Sequence, residues 1–362
     1  MDNLGDTKKY ISEKVSRFIN NYGDLLQKAK KYRKQQTKSI SYIYESHKKI
    51  NMYLSEVRIM IITANEIERE TLFAYFCENS QHRIVKIAKE NIVYSFFYIG
   101  NNKVVHIEPA NIGAYAHGGA ADAIQESVEI VNPNIIVSVG VAYGANFKNN
   151  EIGDVLVGRQ HFSYDKATKI SNGTIGIKKL HLEEPDDYML SRFKSNVLTE
   201  DKKIGIFGNK FSVVFGNMVT GEFVVDSIEI RNMIFSPFEP FGIIGGEMEA
   251  YGIFEAIKKC EDTHCILMKG ICDWGAGKNE TVNISQNGGE SEKKQNNKKE
   301  NKKYNPKNDF QTLAMFNACQ ICEELLIREE MFSDLKIKGF KKGFWRTSFG
   351  KIIKYRITKV KF

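Results

Sequence analysis

GGEMEAYGI (residues 245–253) and ILMKGICDWG (residues 266–275) are the two most informative segments of this chain. The first segment places Glu247 and Glu249 on a short turn that leads into a helix. The second is an apolar run, typical of a strand buried on both faces, and it ends at Asp273. The sequence therefore predicts a helix with two carboxylates at its start, followed by a buried strand with a third carboxylate at its carboxyl end.

This arrangement resembles the nucleoside phosphorylase/nucleosidase superfamily, which includes the purine nucleoside and uridine phosphorylases. In motif it is closest to methylthioadenosine/S-adenosylhomocysteine nucleosidase-like domains. In that family the second Glu of the turn binds the ribose hydroxyls, which implies this role for Glu249, and the Asp after the strand protonates the leaving purine, which implies that role for Asp273. Cleavage of a base–sugar bond needs such groups, because it builds positive charge on the sugar and negative charge on the base. Met248 is expected to pack under the sugar, and Glu247 is a further candidate for substrate contact.

Other segments match the family in the same chain order, over about three quarters of the sequence. VRIMII (57–62) resembles the first strand. TANEIERE (63–70) resembles the loop and helix start where hydrolytic members carry the Glu that activates water. Aligned on the first strand, the matching residue is Glu68, with Glu66 and Glu70 as neighbouring candidates. The resemblance thus implies that this glutamate is the second catalytic residue.

Three more segments supply the remaining candidates for substrate contact. NIGA (111–114) opens a helix and contributes Ile112, the strand 134–144 runs into a glycine turn and contributes Gly140 and Val141, and VTGEFV (219–224) contributes Phe223 and Val224 on the base side. Methylthioadenosine nucleosidases usually stack a Phe on the base at the position of Val224. We therefore expect the base contact to shift to Phe223.

The phosphorylases of the superfamily hold phosphate with arginines at the 63–70 loop and at the start of the glycine turn. At that turn this sequence has SVGV (138–141), which contains no arginine. The pattern favours hydrolysis of a purine N-glycosidic bond, with adenine as the expected base, while Arg58 and Arg69 keep phosphorolysis open. A third alternative is a catalytically idle module that senses nucleotides or drives assembly.

The sequence leaves the 5′ group of the substrate open. Lys148, Arg159 and Lys269 would admit a phosphorylated substrate. Relatives with helical additions resemble effectors of bacterial antiviral systems that destroy adenine nucleotides, so antiviral defence is one expected context. The family generally builds its sites near subunit interfaces, and a homo-oligomer is therefore expected.

Short β-branched and aromatic runs alternate with helical segments, which predicts an α/β fold. Continuous apolar runs such as IIV (135–137) imply strands buried on both faces. With the resemblance, this pattern predicts a mixed twisted central sheet, partly closed and flanked by helices (phosphorylase/hydrolase-like), with a helical N-terminal extension. Strands are expected at 58–63, 82–88, 92–99, 103–107, 134–140, 152–159, 211–216 and 265–271, and helices at 66–77, 114–131, 185–198, 225–234, 248–259 and 309–328.

Charge divides the 362 residues into an acidic core and basic additions. The chain carries a net +8, but residues 1–50 carry +7, residues 278–307 carry +4 and residues 331–362 carry +9, so the remainder carries −12. The expected organisation is a basic helical extension at 1–55, a nucleosidase-like domain at 56–330 with a disordered Lys- and Asn-rich insertion at 280–307, and a basic aromatic tail at 331–362.

The tail alternates basic residues with apolar or aromatic ones, such as Phe344 and Trp345. A segment of this kind binds nucleic acid, an anionic membrane surface, or the acidic core of the same protein. The sequence alone does not choose between these three partners.

Composition sets the remaining limits. No apolar run reaches the roughly 18 residues that a membrane-spanning helix requires, and the first residues lack the apolar stretch of a signal peptide, so we expect a soluble cytoplasmic protein. The six cysteines fit reduced thiols. Cys319 and Cys322 lie in a helical pattern with no second Cys/His pair at zinc-ligand spacing, so we expect them to be buried and expect neither metal nor cofactor. His117, near a helix start, is a further candidate side chain.

Overall fold

The computed structural model describes residues 4–77, 83–109, 120–171, 174–177, 182–184, 187–197, 202–258, 260, 262–277, 282–284, 302–336 and 338. The strands are β1 Ser41–Glu45, β2 Ile59–Ile62, β3 Arg83–Lys89, β4 Ile92–Ile99, β5 Asn102–Ile107, β6 Ile135–Gly144, β7 Val155–Ser163, β8 Thr168–Ser171, β9 Thr174–Ile177, β10 Leu182–Glu183, β11 Lys203–Ile204, β12 Lys210–Phe211, β13 Val213–Thr220, β14 Ile243–Glu247, β15 His264–Asp273, β16 Val282–Ile284 and β17 Lys302–Tyr304.

The helices are α1 Leu4–Ser39, α2 Ile50–Leu54, α3 Glu66–Phe76, α4 Ala120–Val131, α5 Tyr164–Ala167, α6 Asp187–Asn196, α7 Ile228–Phe235, α8 Ala250–Ile257 and α9 Lys307–Leu326. Short 3-10 turns lie at His47–Lys49, Ser236–Phe241 and Glu329–Phe332. No helix in these described segments is long and apolar enough to cross a membrane.

Eleven strands form one mixed sheet, which confirms the predicted fold class. Their order is β1-β3-β4-β5-β2-β6-β14-β13-β7-β10, and β15 pairs with both β6 and β7. The pairs β6–β15, β15–β7, β7–β13, β13–β14 and β14–β6 close five strands into a ring. Tyr143 pairs with Gly246 on one side and with Asp273 on the other. The carboxyl ends of β14 and β15 therefore meet at one end of the ring.

Helices cover both faces of the sheet. Along β2, Ile59 and Ile61 enter one hydrophobic core, whereas Met60 and Ile62 enter another, as the two-residue period of a strand requires. The first core also contains side chains of α3, α6 and α9, and the second contains side chains of α2, α4 and α8. The expectation of strands buried on both faces is thus confirmed.

The long helix α1 packs on α3 and α9 and is held by basic side chains. Its ion pairs to other elements are Lys8 with Glu229 (2.7 Å), Lys14 with Glu151 (3.0 Å), Lys30 with Asp309 (3.1 Å) and Arg33 with Glu70 (3.5 Å). Phe18 adds apolar contact, because its ring meets that of Phe310 edge-on at 5.6 Å. The helix therefore joins four elements: α7, the turn before β7, α9 and α3.

The predicted set of eight strands lacks several that the structure contains, among them β1 and β14 of the main sheet. β1 follows α1 and pairs in parallel with β3, so the N-terminal extension also supplies an edge strand to the sheet. β14 has the sequence IIGGE, in which two glycines remove the side-chain alternation that marks a strand. Both glycines are needed, since a Cβ at Gly245 would overlap Leu156 and the backbone of Tyr143, and one at Gly246 would overlap the Tyr143 ring.

The insertion and the tail are described only in part. β16 and β17 pair antiparallel, so these two ends of the insertion differ from the expected disorder, while residues 285–301 lie outside the described residues. The start of the tail docks on the core: Phe332 is fully buried, and Asn134 Nδ2 donates to the carbonyl of Lys336 at 3.0 Å. Residues 339–362 lie outside the described part, and the domain boundaries stay a prediction.

We predict that Gly270→Ala lowers the free energy of unfolding by about 1–3 kcal/mol, the usual cost of overpacking a core. Gly270 lies in β15 beneath α9, and a Cβ there would overlap the backbone of Ala314, which cannot rotate away. Urea unfolding followed by circular dichroism measures the change. Gly23→Ala in α1 is the matched control, because its added Cβ meets nothing within 4 Å. Equal stability of the two variants would contradict this packing.

Candidate active site

A cavity opens at the end of the ring where β14 and β15 finish. Most of the predicted site residues line it: Glu68, Val141, Phe223, Val224, Glu247, Met248, Glu249 and Asp273. Gly140 is not in the lining but lies directly behind Glu68. Ile112 and His117 lie outside the described residues. The fold thus brings together residues that are spread over more than half of the chain.

Glu68 lies in the first turn of α3, and Asn65 caps that helix by accepting a hydrogen bond from the Glu68 N–H at 3.1 Å. Each oxygen of the Glu68 carboxylate accepts one hydrogen bond from a backbone N–H, that of Ala64 at 2.7 Å and that of Val141 at 3.0 Å. The side chain fits there only because residue 140 is glycine: a Cβ at Gly140 would lie 2.9 Å from Glu68 Oε2. The glycine turn therefore serves to seat this carboxylate.

Glu247 shapes the turn that follows β14. Its Oε2 accepts the backbone N–H groups of Glu249 and Ala250, each at 2.9 Å. These N–H groups lie at the start of α8, where a helix leaves its donors without internal partners and favours negative charge. The contact of Glu247 is thus a cap that orients Met248 and Glu249 toward the cavity, and a direct contact of Glu247 with substrate remains a prediction.

Lys269 lies beneath the cavity floor as the counter-charge of these acids. Its side chain has no exposed surface, and its Nζ donates to Glu249 Oε2 at 2.9 Å. A buried lysine in an apolar strand is costly unless it is paired and hydrogen-bonded. The pair therefore fixes both the position of Glu249 and the register of β15.

The carboxylates and Lys269 alter one another's protonation. Burial raises the pKa of Glu68 to about 7, with Lys269 opposing this shift and Glu249 adding to it. Burial also raises the pKa of Glu247 to about 7. For Lys269, burial alone would lower the pKa, but the charges of Glu249, Glu68 and Glu247 raise it above its ordinary value. The lysine is charged, while two of the acids titrate near neutral pH.

Asp273 is the last residue of β15 and lines the cavity from the end of that strand. Its Oδ1 accepts the N–H of Gly275 at 2.7 Å, and the Cys272 thiol donates to its Oδ2 at 3.2 Å. The next residue, Trp274, is fully buried, and Lys14 of α1 lies 5.3 Å from its ring centroid. Asp273 therefore lies on a turn whose next residue, Trp274, is packed in the protein interior.

Phe223 and Val224 form the apolar lip of the cavity. They expose 65% and 63% of their surface, and Tyr164 holds the loop because its hydroxyl accepts the N–H of Phe223 at 3.1 Å. Both side chains are therefore exposed at the mouth of the cavity. Their contact with a base remains a prediction.

The basic residues that the sequence suggests for binding phosphate groups do not line the cavity. Arg69 is paired with Glu108 at 2.5 Å and with Glu66 at 3.4 Å, and it does not line the cavity. Arg58, Lys148 and Arg159 are also absent from the lining, and Lys269 is sealed beneath it.

Sequence reasoning missed Lys307 and Gln311, which line the cavity from the start of α9. The long insertion separates them from Asp273, so no local pattern could have placed them there. Cys319 and Cys322 of the same helix are fully buried, as expected. The described residues contain no group of three or more His, Cys, Asp or Glu placed to hold a metal ion.

The fold is shared with solved structures of other proteins. A methylthioadenosine/S-adenosylhomocysteine nucleosidase from Neisseria meningitidis, in complex with methylthio-immucillin-A, aligns with 74% of this chain and 98% of its own at a TM-score of 0.54 and 18% identity. Futalosine hydrolase of Helicobacter pylori aligns with 75% of this chain and 97% of its own at a TM-score of 0.53 and 14% identity. The fold implied by the sequence resemblance is thereby confirmed.

One sequence relative matches part of the chain. A protein of Amphimedon queenslandica named a death domain-containing ATP nucleosidase is 26% identical over 165 residues, which are 42% of this chain and 30% of the relative. The match therefore spans less than a third of the length of that relative. No family model matches the chain.

We predict that Lys269→Met lowers the free energy of unfolding by about 3–5 kcal/mol at pH 8, the usual cost of removing one partner of a buried ion pair. The loss should shrink toward pH 5, because the pKa values of Glu68 and Glu247 are already raised by burial and would rise further without the lysine. A folded state that holds protons which the unfolded state releases is stabilised as pH falls. Urea unfolding at both pH values measures this.

Lys8→Met is the control for that prediction. Lys8 is also paired with a carboxylate, Glu229 at 2.7 Å, but both side chains of this pair are about half exposed. An exposed pair contributes about 1 kcal/mol or less. A pH-independent loss for Lys269→Met, or equal losses in both variants, would show that the buried lysine does not balance the acids.

Proposed function

We propose that this protein hydrolyses the N-glycosidic bond of an adenine nucleoside or nucleotide and releases the free base and the sugar. One observation carries the proposal: Glu68, Glu249 and Asp273 converge on a single cavity from α3, from the turn before α8 and from the end of β15. The fold shared with purine nucleosidases and the relative named as an ATP nucleosidase support it.

Each of the three acids has a separate task in the proposed reaction. Glu68 accepts a proton from a water molecule while the water oxygen bonds to C1′ of the ribose. The C1′–N9 bond breaks, its electron pair moves to the purine, and Asp273 in its acid form supplies a proton to the base. Glu249 accepts the ribose hydroxyls, and its negative charge stabilises the positive charge that develops on the sugar.

Hydrolysis is favoured over phosphorolysis by the charge of the wall. Among the described lining residues there is no arginine, and Arg69 is occupied by Glu108 and Glu66. An attacking phosphate dianion would face the carboxylate of Glu68 without an arginine to bind it, whereas water gains a base there. A phosphorylase remains the alternative candidate.

The proposal extends to the setting of the enzyme. We place it in the cytoplasm and propose that it forms a homo-oligomer. The oligomer is supported by apolar side chains that are exposed at the cavity lip, Phe223 and Val224, and on α7, Ile230 and Met233. A role as a defence effector that depletes adenine nucleotides is supported by the death domain in the name of the sequence relative. Size-exclusion chromatography with light scattering tests the assembly.

Product analysis tests the reaction. In phosphate-free buffer, adenosine or its nucleotides should yield adenine and a free reducing sugar, identified by mass spectrometry. Glu68→Gln and Asp273→Asn should each lower turnover by about 10²–10⁴-fold, the scale of a lost general acid or base, with unchanged circular dichroism. A sugar 1-phosphate formed only with added phosphate would identify a phosphorylase instead, and binding without turnover would identify a sensing module.

The pH dependence of kcat/KM tests the assignment of the base. Glu68 must be ionised to accept a proton, and burial raises its pKa to about 7. We expect kcat/KM to fall about tenfold per pH unit below that value. Steady-state rates in buffers of constant ionic strength measure the profile. A profile that stays flat from about pH 5 to about pH 8 would rule out Glu68 as the base.

A further inference from the structure

The charges of the cavity wall are distributed unevenly. Four carboxylates line it, from Glu68, Glu247, Glu249 and Asp273, whereas Lys307 is the one cation among its described lining residues. Lys269 does not act as a second cation toward a ligand, because it has no exposed surface and bonds to Glu249. A ligand in the cavity therefore meets positive charge at one place only in the described wall.

Lys307 is the first residue of α9, and Gln311 lies one turn later on the same helix face. Within the described part of the chain, Lys307 has no ion-pair partner within 4 Å. Asp309, in the same turn, does not offset its charge, because it is buried and lies 3.1 Å from Lys30 of α1. The cation of Lys307 is thus available to the cavity, with the amide of Gln311 beside it.

Several other polar groups of the wall already have tasks. Asp273 is assigned to the base, Glu249 to the ribose hydroxyls and Glu68 to water, while Asn65 caps α3 and Glu247 caps α8. These assignments leave the 5′ end of a nucleotide without a contact. A lysine contributes little to the binding of a neutral 5′-hydroxyl, whereas it offsets the charge of a phosphate that lies among four carboxylates.

We infer that Lys307 and Gln311 form a subsite for the 5′-phosphate, so that the enzyme prefers nucleoside 5′-phosphates to plain nucleosides. This inference rests on the proposed function, since it names the substrate class of the same cavity. Lysine and glutamine donors would bind the phosphate oxygens, and the first turn of α9 adds the positive end of a helix dipole.

The experiment compares adenosine, AMP and ATP as substrates of the full-length protein. In Lys307→Gln the preference for AMP over adenosine, taken as the ratio of kcat/KM values, should fall about 10- to 100-fold, the range of a lost charge-assisted hydrogen bond. Lys307→Arg should retain most of the preference. Lys210→Gln is the matched control, because it removes the same charge at an exposed position outside the lining and should leave the ratio unchanged.

Two results would overturn the subsite. One is an equal AMP-to-adenosine ratio in wild type and Lys307→Gln. The other is a change in the preference between adenosine and inosine instead, which would place Lys307 at the base. Titration calorimetry with AMP and adenosine gives the same comparison without turnover: if no substrate is cleaved, the proposed function fails, but a selective loss of AMP affinity in Lys307→Gln still supports the subsite, and an unselective loss still refutes it.

Discussion

The ion pair between Lys269 and Glu249 is the interaction on which the candidate site depends. A charged lysine inside a sheet is tolerated only where acids surround it, and here Glu68 and Glu247 complete that surrounding. The same lysine keeps these carboxylates near one another, where their mutual repulsion would otherwise push them apart or force them to take up protons. Lys269 thus stabilises the negative charge of three glutamates, Glu68, Glu247 and Glu249, at the end of the ring.

The closed ring of strands is what makes this concentration of charge possible. Because β14 and β15 both end beside Tyr143, two acidic turns that are distant along the chain become neighbours. This arrangement requires glycine at positions 140, 245 and 246, where strands or side chains approach too closely for a Cβ. Glycine at these positions reflects crowding at the site.

Sequence reasoning reached the acids because each lies in a segment that resembles the nucleoside phosphorylase/nucleosidase superfamily. Asp273 ends an apolar strand, Glu249 lies in the turn before a helix, and Glu68 lies at a helix start, where Glu66 and Glu70 are neighbouring candidates. It did not reach β14, whose glycines hide the alternation, or β1, a short edge strand between a helix and a charged turn. Lys307 was out of reach for a different reason: its place beside Asp273 comes from the packing of α9 on β15, which no local spacing records.

The ion pairs of α1 have a mechanical consequence. The helix is a rod of roughly 54 Å at 1.5 Å per residue, and its basic side chains meet Glu151, Asp309 and Glu70 on three different elements. Glu151 belongs to a turn that is hydrogen-bonded to the strand of Asp273. Asp309 lies in the same helix as Lys307, and Glu70 lies in the same helix as Glu68. A displacement of the rod along its axis would therefore act on all three elements together, so movement of its first turn would be transmitted to the candidate cavity.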